Sequence, residues 1–194
     1  MKIELNPEFS ADVPEPLYQA ALECYLQYGL RKTTLEDIAR KAGVSRSTIY
    51  RHLGGKPDII QMIAMRELTA LMGQIFDLLK PDAGLAEWAE IAFGDGLQLL
   101  RANKAVAKAI NDEPELLSVL VIQPDQSPNI LELTSLVLAP VVAGNKDAAR
   151  LSVSPQLAAT MIVRLLFSFV LINEAETDEP KAIARALVVG LLQN

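Results

Sequence analysis

Histidine and cysteine occur once each in the 194 residues, as His52 and Cys24, and that scarcity closes most of the chemistry a small enzyme uses. A single cysteine forms no intramolecular disulfide and no cysteine-cluster metal site, and it fits a reducing compartment. Within its apolar helix Cys24 reads as a small buried apolar residue. A single histidine leaves no histidine-based zinc site and no Ser-His-Asp or Cys-His set elsewhere in the chain. No glycine-rich phosphate loop of the expected spacing is present. The acidic pairs Asp112 with Glu113 and Glu174 with Glu176 stand at helix ends and turns, where solvated carboxylates are common. The expectation is therefore a protein that is not an enzyme and holds no cofactor and no metal. The longest apolar stretch, AATMIVRLLFSFVLI, runs for about 15 residues with Arg164 inside it, short of the ~20 of a membrane span. The opening MKIELNPEFSADVPEP carries acids and prolines where an export signal needs a basic start and an apolar run. A cytoplasmic protein without membrane insertion is expected.

The chain is acidic overall, with a net charge of −6, but the charge is unevenly spread. From Arg31 to Lys56 there are seven basic residues and two acids, leaving a local +5; the remainder carries 11 basic and 22 acidic residues. A positive patch on an acidic body attracts a polyanion to one surface and repels it elsewhere.

Helical spacing dominates and strand alternation is nearly absent. Leu17, Ala20, Ala21, Cys24, Tyr25 and Tyr28 fall on one face of a helix from Pro16 to Tyr28, stopped by Gly29. Thr34 stands three residues before Asp37 in a capping-box arrangement, and Leu35, Ile38, Ala39 and Ala42 follow at i, i+3, i+4, i+7. Gly43 supplies a left-handed stop, and Ser45 caps a short helix from Arg46 to about Leu53. Pro57 then opens a long helix to about Leu79.

Two short helices joined by a turn at Gly43 and Val44 make a helix-turn-helix, whose second helix enters the DNA major groove in proteins that carry it. Ile49 and Leu53 point toward the preceding helix, whereas Arg46, Ser47, Tyr50 and Arg51 share the opposite side. Arginine reads guanine bidentately, hydroxyls bond to bases or phosphates, and tyrosine reaches the phosphate chain. Thr34 and Lys56, each at a helix N-terminus, are suited to hold phosphates beside it.

The run TTLEDIARKAGVSRSTIYRHLGGKPDII, preceded by YLQYGLRK, resembles the N-terminal DNA-binding domain of the TetR family of bacterial transcription regulators over roughly Pro16 to Ile60. The chain departs from the family pattern at Leu53, where phenylalanine is usual, and at the pair Gly54 and Gly55, which loosens the joint to the fourth helix. The resemblance implies an all-α fold in which a three-helix helix-turn-helix domain precedes a larger helical ligand-binding and dimerisation domain. It also implies a homodimer on a palindromic double-stranded operator, released by a small-molecule effector. Carried over by position, Arg46, Ser47 and Arg51 are the base readers, and Thr34, Ser45, Thr48, Tyr50, His52 and Lys56 the backbone contacts. The expected division is an N-terminal tail at 1–12, the DNA-binding domain at 13–58 and the effector-binding and dimerisation domain at 59–194.

Beyond Ile60 the expected helices are Leu85 to Ala102, Ala105 to Asn111, Glu113 to Ile122, Ile130 to Ala143, Pro155 to Ala175 and Glu179 to Gln193. Ala182, Ala186 and Gly190 recur every four residues, a stripe that lets another helix axis approach closely and that, with the resemblance, points to the subunit contact, against the alternative that it packs only inside its own subunit. Met65, Trp88, Phe93 and Phe167 are the candidate lining of an effector cavity, against the alternative that they fill the core. The scarcity of histidine and cysteine argues against a metal or haem sensor, and the apolar helices lean toward a lipophilic organic effector. Arg164 either pairs with an acidic ligand group, bonds to an acid such as Glu132, or reaches the surface. The favoured reading is a ligand-responsive repressor; the alternative is a small-molecule- or partner-binding helical protein with a non-functional DNA-binding module.

Overall fold

The computed structural model describes residues 13–29, 31–113, 130–171 and 178–193. The fold is all-α, and among the described residues the only extended pairing is an isolated antiparallel bridge between Leu151 and Leu192. The chain separates into two compact units, one holding residues up to Ala70 with the stretch from Asn103, the other Leu71–Ala102 with the described residues from 130 onward.

In the first unit, α1 (Glu15–Tyr28) takes Pro16 in its first turn, where a missing N–H costs nothing. It buries Leu17, Tyr18, Ala20, Ala21, Cys24 and Tyr25. Tyr18 lies on this buried face in place of the expected Tyr28, which is exposed because it ends the helix beside Gly29. Helix α2 (Leu35–Ala42) begins with the full capping box: Thr34 Oγ1 accepts from the Asp37 N–H at 3.1 Å and Asp37 Oδ2 accepts from the Thr34 N–H at 3.2 Å. Gly43 ends it at φ 68°, ψ 28°, a left-handed geometry that a side chain disfavours. Helix α3 (Arg46–Leu53) follows, then α4 (Lys56–Leu78). Gly54 takes φ 72° at the joint, and the Gly55 N–H donates to Asp58 Oδ2 at 2.8 Å, so the glycine pair is held by a carboxylate in the first turn of α4.

Helix α7 (Lys104–Asp112) packs on α1 in the same unit. Its cap, Asn103, accepts from the Ala105 and Val106 N–H groups at 2.9 and 3.0 Å and donates to Glu67 Oε2 at 2.6 Å. The other oxygen of Glu67 accepts from the Tyr18 hydroxyl at 2.5 Å, so one α4 carboxylate ties α1 and the start of α7 together. Burial, then the hydrogen bond and charge of Glu67, push the Tyr18 phenol well above its ordinary range. The Tyr25 hydroxyl donates to the Ala105 carbonyl at 3.0 Å. Around these contacts Ile38, Ala39, Ile49, Leu53, Ile59, Met62 and Ile63 form one apolar core with the buried face of α1. Helix α4, with 23 residues, is long and apolar enough by composition to cross a membrane. Its Ile59, Met62 and Ile63 nevertheless fill this core, and its adjacent Arg66 and Glu67 are both engaged by polar partners, as in a globular interior.

The second unit contains α5 (Leu85–Ile91), α6 (Leu97–Ala102), α8 (Ile130–Ala143), α9 (Pro155–Leu171) and α10 (Glu179–Leu191). The single helix expected over 85–102 is interrupted by a π-helical turn at Ala92–Gly96. Gly96 lies in that turn with the Ile75 side chain close by; a Cβ there would stand 3.2 Å from it, so a larger residue would require Ile75 to shift by a few tenths of an ångström. Helices α8 and α9 pack together, and α10 lies on α5, around Leu85, Ala89, Phe93, Ala139, Val142, Ala158, Ala159, Ala184 and Val188. The many alanines bring helix axes close. Of the expected helix at 113–122 only Glu113 is described, outside any helix, and the rest, like the expected extension of α9 to Ala175, lies outside the described residues. The bridge, with Ser152 N–H to the Leu191 carbonyl and Gln193 N–H to the Arg150 carbonyl, both at 2.7 Å, fastens the end of α10.

Candidate nucleic-acid interface

The site is built on α3. Ser45 caps it, its Oγ accepting from the Thr48 N–H at 3.1 Å and lying 2.8 Å from Ser47 Oγ and 2.9 Å from Thr48 Oγ1. Ile49 is fully enclosed and Leu53 is 4% exposed, both in the core with Ile38 and Ala39 of α2. That anchorage turns the other side of the helix outward. Arg46, Ser47, Tyr50, Arg51 and His52 are exposed, Tyr50 by 64%, while Thr48 is half-buried. A phenol standing this far into water, one residue from an enclosed isoleucine, is the mark of a helix with two distinct faces.

Beside α3 opens a cleft of about 290 Å³ whose lining includes Arg31, Thr34, Glu36, Arg46 and Lys56. Thr34 and Lys56 thus stand with Arg46 around one depression. Lys56 Nζ donates to the Arg31 carbonyl at 2.8 Å, which ties the start of α4 to the turn between α1 and α2. Several cations of the patch have acidic neighbours: Arg46 Nη1 lies 2.9 Å from Glu36 Oε1, Lys41 Nζ lies 2.6 Å from Glu23 Oε2, and Arg40 pairs with Asp37. Glu23 holds the Lys41 amine above its ordinary value, and the Thr34 hydroxyl and N–H, with Arg40, hold the Asp37 carboxyl below its own. Arg51 has no acidic partner among the described residues.

The remaining candidates are scattered. Met65 is buried in the first unit, whereas Trp88, Phe93 and Phe167 belong to the second. Phe93 is enclosed and meets Phe169, not Phe167, edge to face at 6.1 Å; the indole N–H of half-buried Trp88 donates to the Lys80 carbonyl at 2.8 Å. Periodicity alone gave no sign of Phe169. Ala182, Ala186 and Gly190 are exposed on α10, opposite the buried Ala184 and Val188, and Gly190 has open space at its Cα. Arg164 is exposed on α9. Glu113, expected to be solvated, is buried: its Oε1 accepts from the Arg31 N–H at 3.1 Å at the turn after α1. Asp112 is exposed, and Glu174 and Glu176 lie outside the described residues. Among the described residues no group of three or more histidine, cysteine or acidic side chains is gathered to hold a metal.

An enclosed Ile49 and Leu53 beneath an outward row of arginine, serine and tyrosine, on the second of two helices meeting at a left-handed glycine, define a helix-turn-helix protein. Residues 17–63 match the profile of the bacterial regulatory proteins, tetR family. The HTH-type transcriptional regulator AlkX of Mycobacterium tuberculosis is 30% identical over 167 residues, covering 79% of this chain and 73% of that protein. SrpR of Pseudomonas putida is 43% identical over 47 residues, 24% of this chain, so the chain spans only 22% of the length of that relative. Among solved structures, the TetR family repressor AlkX from Dietzia sp. strain DQ12-45-1b aligns over 90% of both chains with a TM-score of 0.65 at 22% identity. The chain belongs to the TetR family of bacterial regulatory proteins. It is a DNA-binding transcription regulator of the helix-turn-helix type, with the N-terminal module followed by a larger helical domain.

Proposed function

We propose that the protein acts in the cytoplasm as a homodimeric repressor that occupies a palindromic operator and leaves it when a small lipophilic molecule binds the C-terminal domain. The observation that carries the DNA half of this reading is α3, with Ile49 and Leu53 in the core and Arg46, Ser47, Tyr50 and Arg51 outward. On this reading Arg46, Ser47 and Arg51 read bases in the major groove, while Thr34, Ser45, Thr48, Tyr50, His52 and Lys56 contact the backbone. The functional division we propose is 13–58 for DNA and 59–194 for effector and dimer.

Dimerisation is supported by the exposed face of α10, where Ile183 and Val189 join Ala182, Ala186 and Gly190, and by exposed Leu157 and Leu171 on α9. Apolar surface of this kind is costly to leave in water, and small residues let a second helix pair close over it. Two recognition helices held about 34 to 36 Å apart meet successive major grooves, which is the geometric use of the dimer. A lipophilic effector is supported by the aromatic side chains Trp88, Phe93 and Phe167 and by the Dietzia relative, whose description connects it with n-alkane biodegradation. Met65, buried in the first unit, is not part of that lining. Helix α7 belongs to the effector half by chain order and packs on α1, so displacement of α7 would disturb the module through Tyr25 and Glu113. An effector that favours the displaced arrangement weakens DNA binding, and DNA weakens the effector by the same factor. A gel shift with duplex from upstream of the coding region tests the reading: a retarded band that vanishes in Arg51→Ala supports it. No retardation at low salt by a folded dimer overturns it in favour of a helical binding protein with an idle module.

A further inference from the structure

Glu36 is the one acid among the described residues lining the cleft beside α3. A carboxylate on a surface that meets a polyanion raises the cost of every contact there, so its presence calls for a reason. The dipole of α2 favours an acid in its first turn, but Asp37 already fills that role through the capping box. What Glu36 does instead is reach across to the next helix, where its Oε1 lies 2.9 Å from Nη1 of Arg46. Both side chains are more than half exposed, so the pair is weakly held and open to exchange.

We infer that Glu36 is a positioning residue that sets the sequence discrimination of Arg46, an inference that rests on the DNA-binding reading of this face. A guanidinium carries five N–H donors in a rigid fork. Occupying one at Nη1 leaves the others for the two acceptors of a guanine edge and biases, without fixing, the direction in which the fork faces. The same contact offsets the charge of Arg46, so phosphates, which reward any cation at any angle, gain less from it than a correctly placed guanine does. Glu36 therefore lowers binding to all DNA and lowers it most for the wrong sequence, which is how specificity is raised by a repulsive element. The stake is modest: a coupling of the size found for exposed ion pairs corresponds to roughly 1.5- to 5-fold in affinity.

The test uses the full-length protein, a duplex selected by it from a random-sequence pool, and a scrambled duplex of equal length. Binding by wild type, Glu36→Gln, Arg46→Ala and the double variant is measured by fluorescence anisotropy, with thermal melts to confirm that the exposed substitutions leave the fold intact. Glu36→Gln is expected to tighten the scrambled duplex more than the selected one, so that their ratio falls by about 1.5- to 5-fold. In the Arg46→Ala background the same substitution is expected to leave the ratio unchanged. Equal tightening of both duplexes, or an equal fall of the ratio without Arg46, overturns the inference and leaves Glu36 a nonspecific charge. Failure of wild type to bind either duplex at low salt overturns the reading of the face as a DNA site, and the inference falls with it by a separately recognisable result.

Discussion

Two neighbouring residues, Ile49 and Tyr50, give opposite predictions. Ile49 is fully enclosed in the core that α3 shares with α1, α2 and α4, and Tyr50 is 64% exposed. Truncating Ile49 to alanine removes three carbon groups, at roughly 0.8 kcal/mol each for lost burial, or about 2.4 kcal/mol before the void left behind is counted. Adding that void brings the expected loss to about 2.5 to 5 kcal/mol. For a chain of this length a loss of 3 kcal/mol lowers the melting temperature by roughly 6 to 12 °C. Tyr50→Ala removes a larger side chain, but from water, and is expected to change stability by no more than about 0.5 kcal/mol. The order reverses for DNA, since Tyr50→Ala removes a contact group while the fold stays intact. Circular dichroism melts and urea titrations measure the first effect, and anisotropy on a selected duplex at fixed salt the second. Comparable destabilisation by both substitutions, or full DNA binding by Tyr50→Ala, would refute the two-faced arrangement of α3.

Arg46→Ala is expected to cost about 1 to 3 kcal/mol at one base position, whereas Lys56→Ala weakens all sequences alike; affinity across single-base variants of the duplex separates them. Asp37 has a lowered carboxyl value, so its contribution to stability is present above the ordinary carboxylate value of 3.8 and is lost as pH falls through the lowered one. Asp37→Asn is therefore expected to destabilise at neutral pH and to match wild type in strong acid, as read from urea midpoints across pH. Ala186→Glu places a charge on the exposed stripe of α10 and is expected to yield monomers by sedimentation velocity with melting unchanged at the level of the isolated chain; an undiminished dimer rejects this face as the contact.

The first four helices were readable because their signals are local. Thr34 with Asp37, Gly43, and Ser45 each act within one turn of chain, and the spacing of Ile38, Ile49 and Leu53 leaves one arrangement that buries them together. Features set by distant partners were not readable. Glu113 looks like a solvated helix-end acid until the turn after α1 supplies the Arg31 N–H. The Ile75 side chain lies close to Gly96 in the π turn at Ala92–Gly96, and no short window of sequence contains both. The Tyr18 and Tyr28 exchange came from the end of a helix, where a residue on the apolar stripe has no neighbouring element to cover it. At the site, residue types and faces were legible, but the Glu36 contact to Arg46 was not, because it depends on how α2 and α3 cross.

The most direct measurement is the salt dependence of affinity for a selected duplex. With about four phosphate contacts from each of two modules, the slope of log affinity against log salt is expected to be near −7. A slope shallower than about −3 would mean that this surface does not neutralise a DNA backbone, in contradiction to the account.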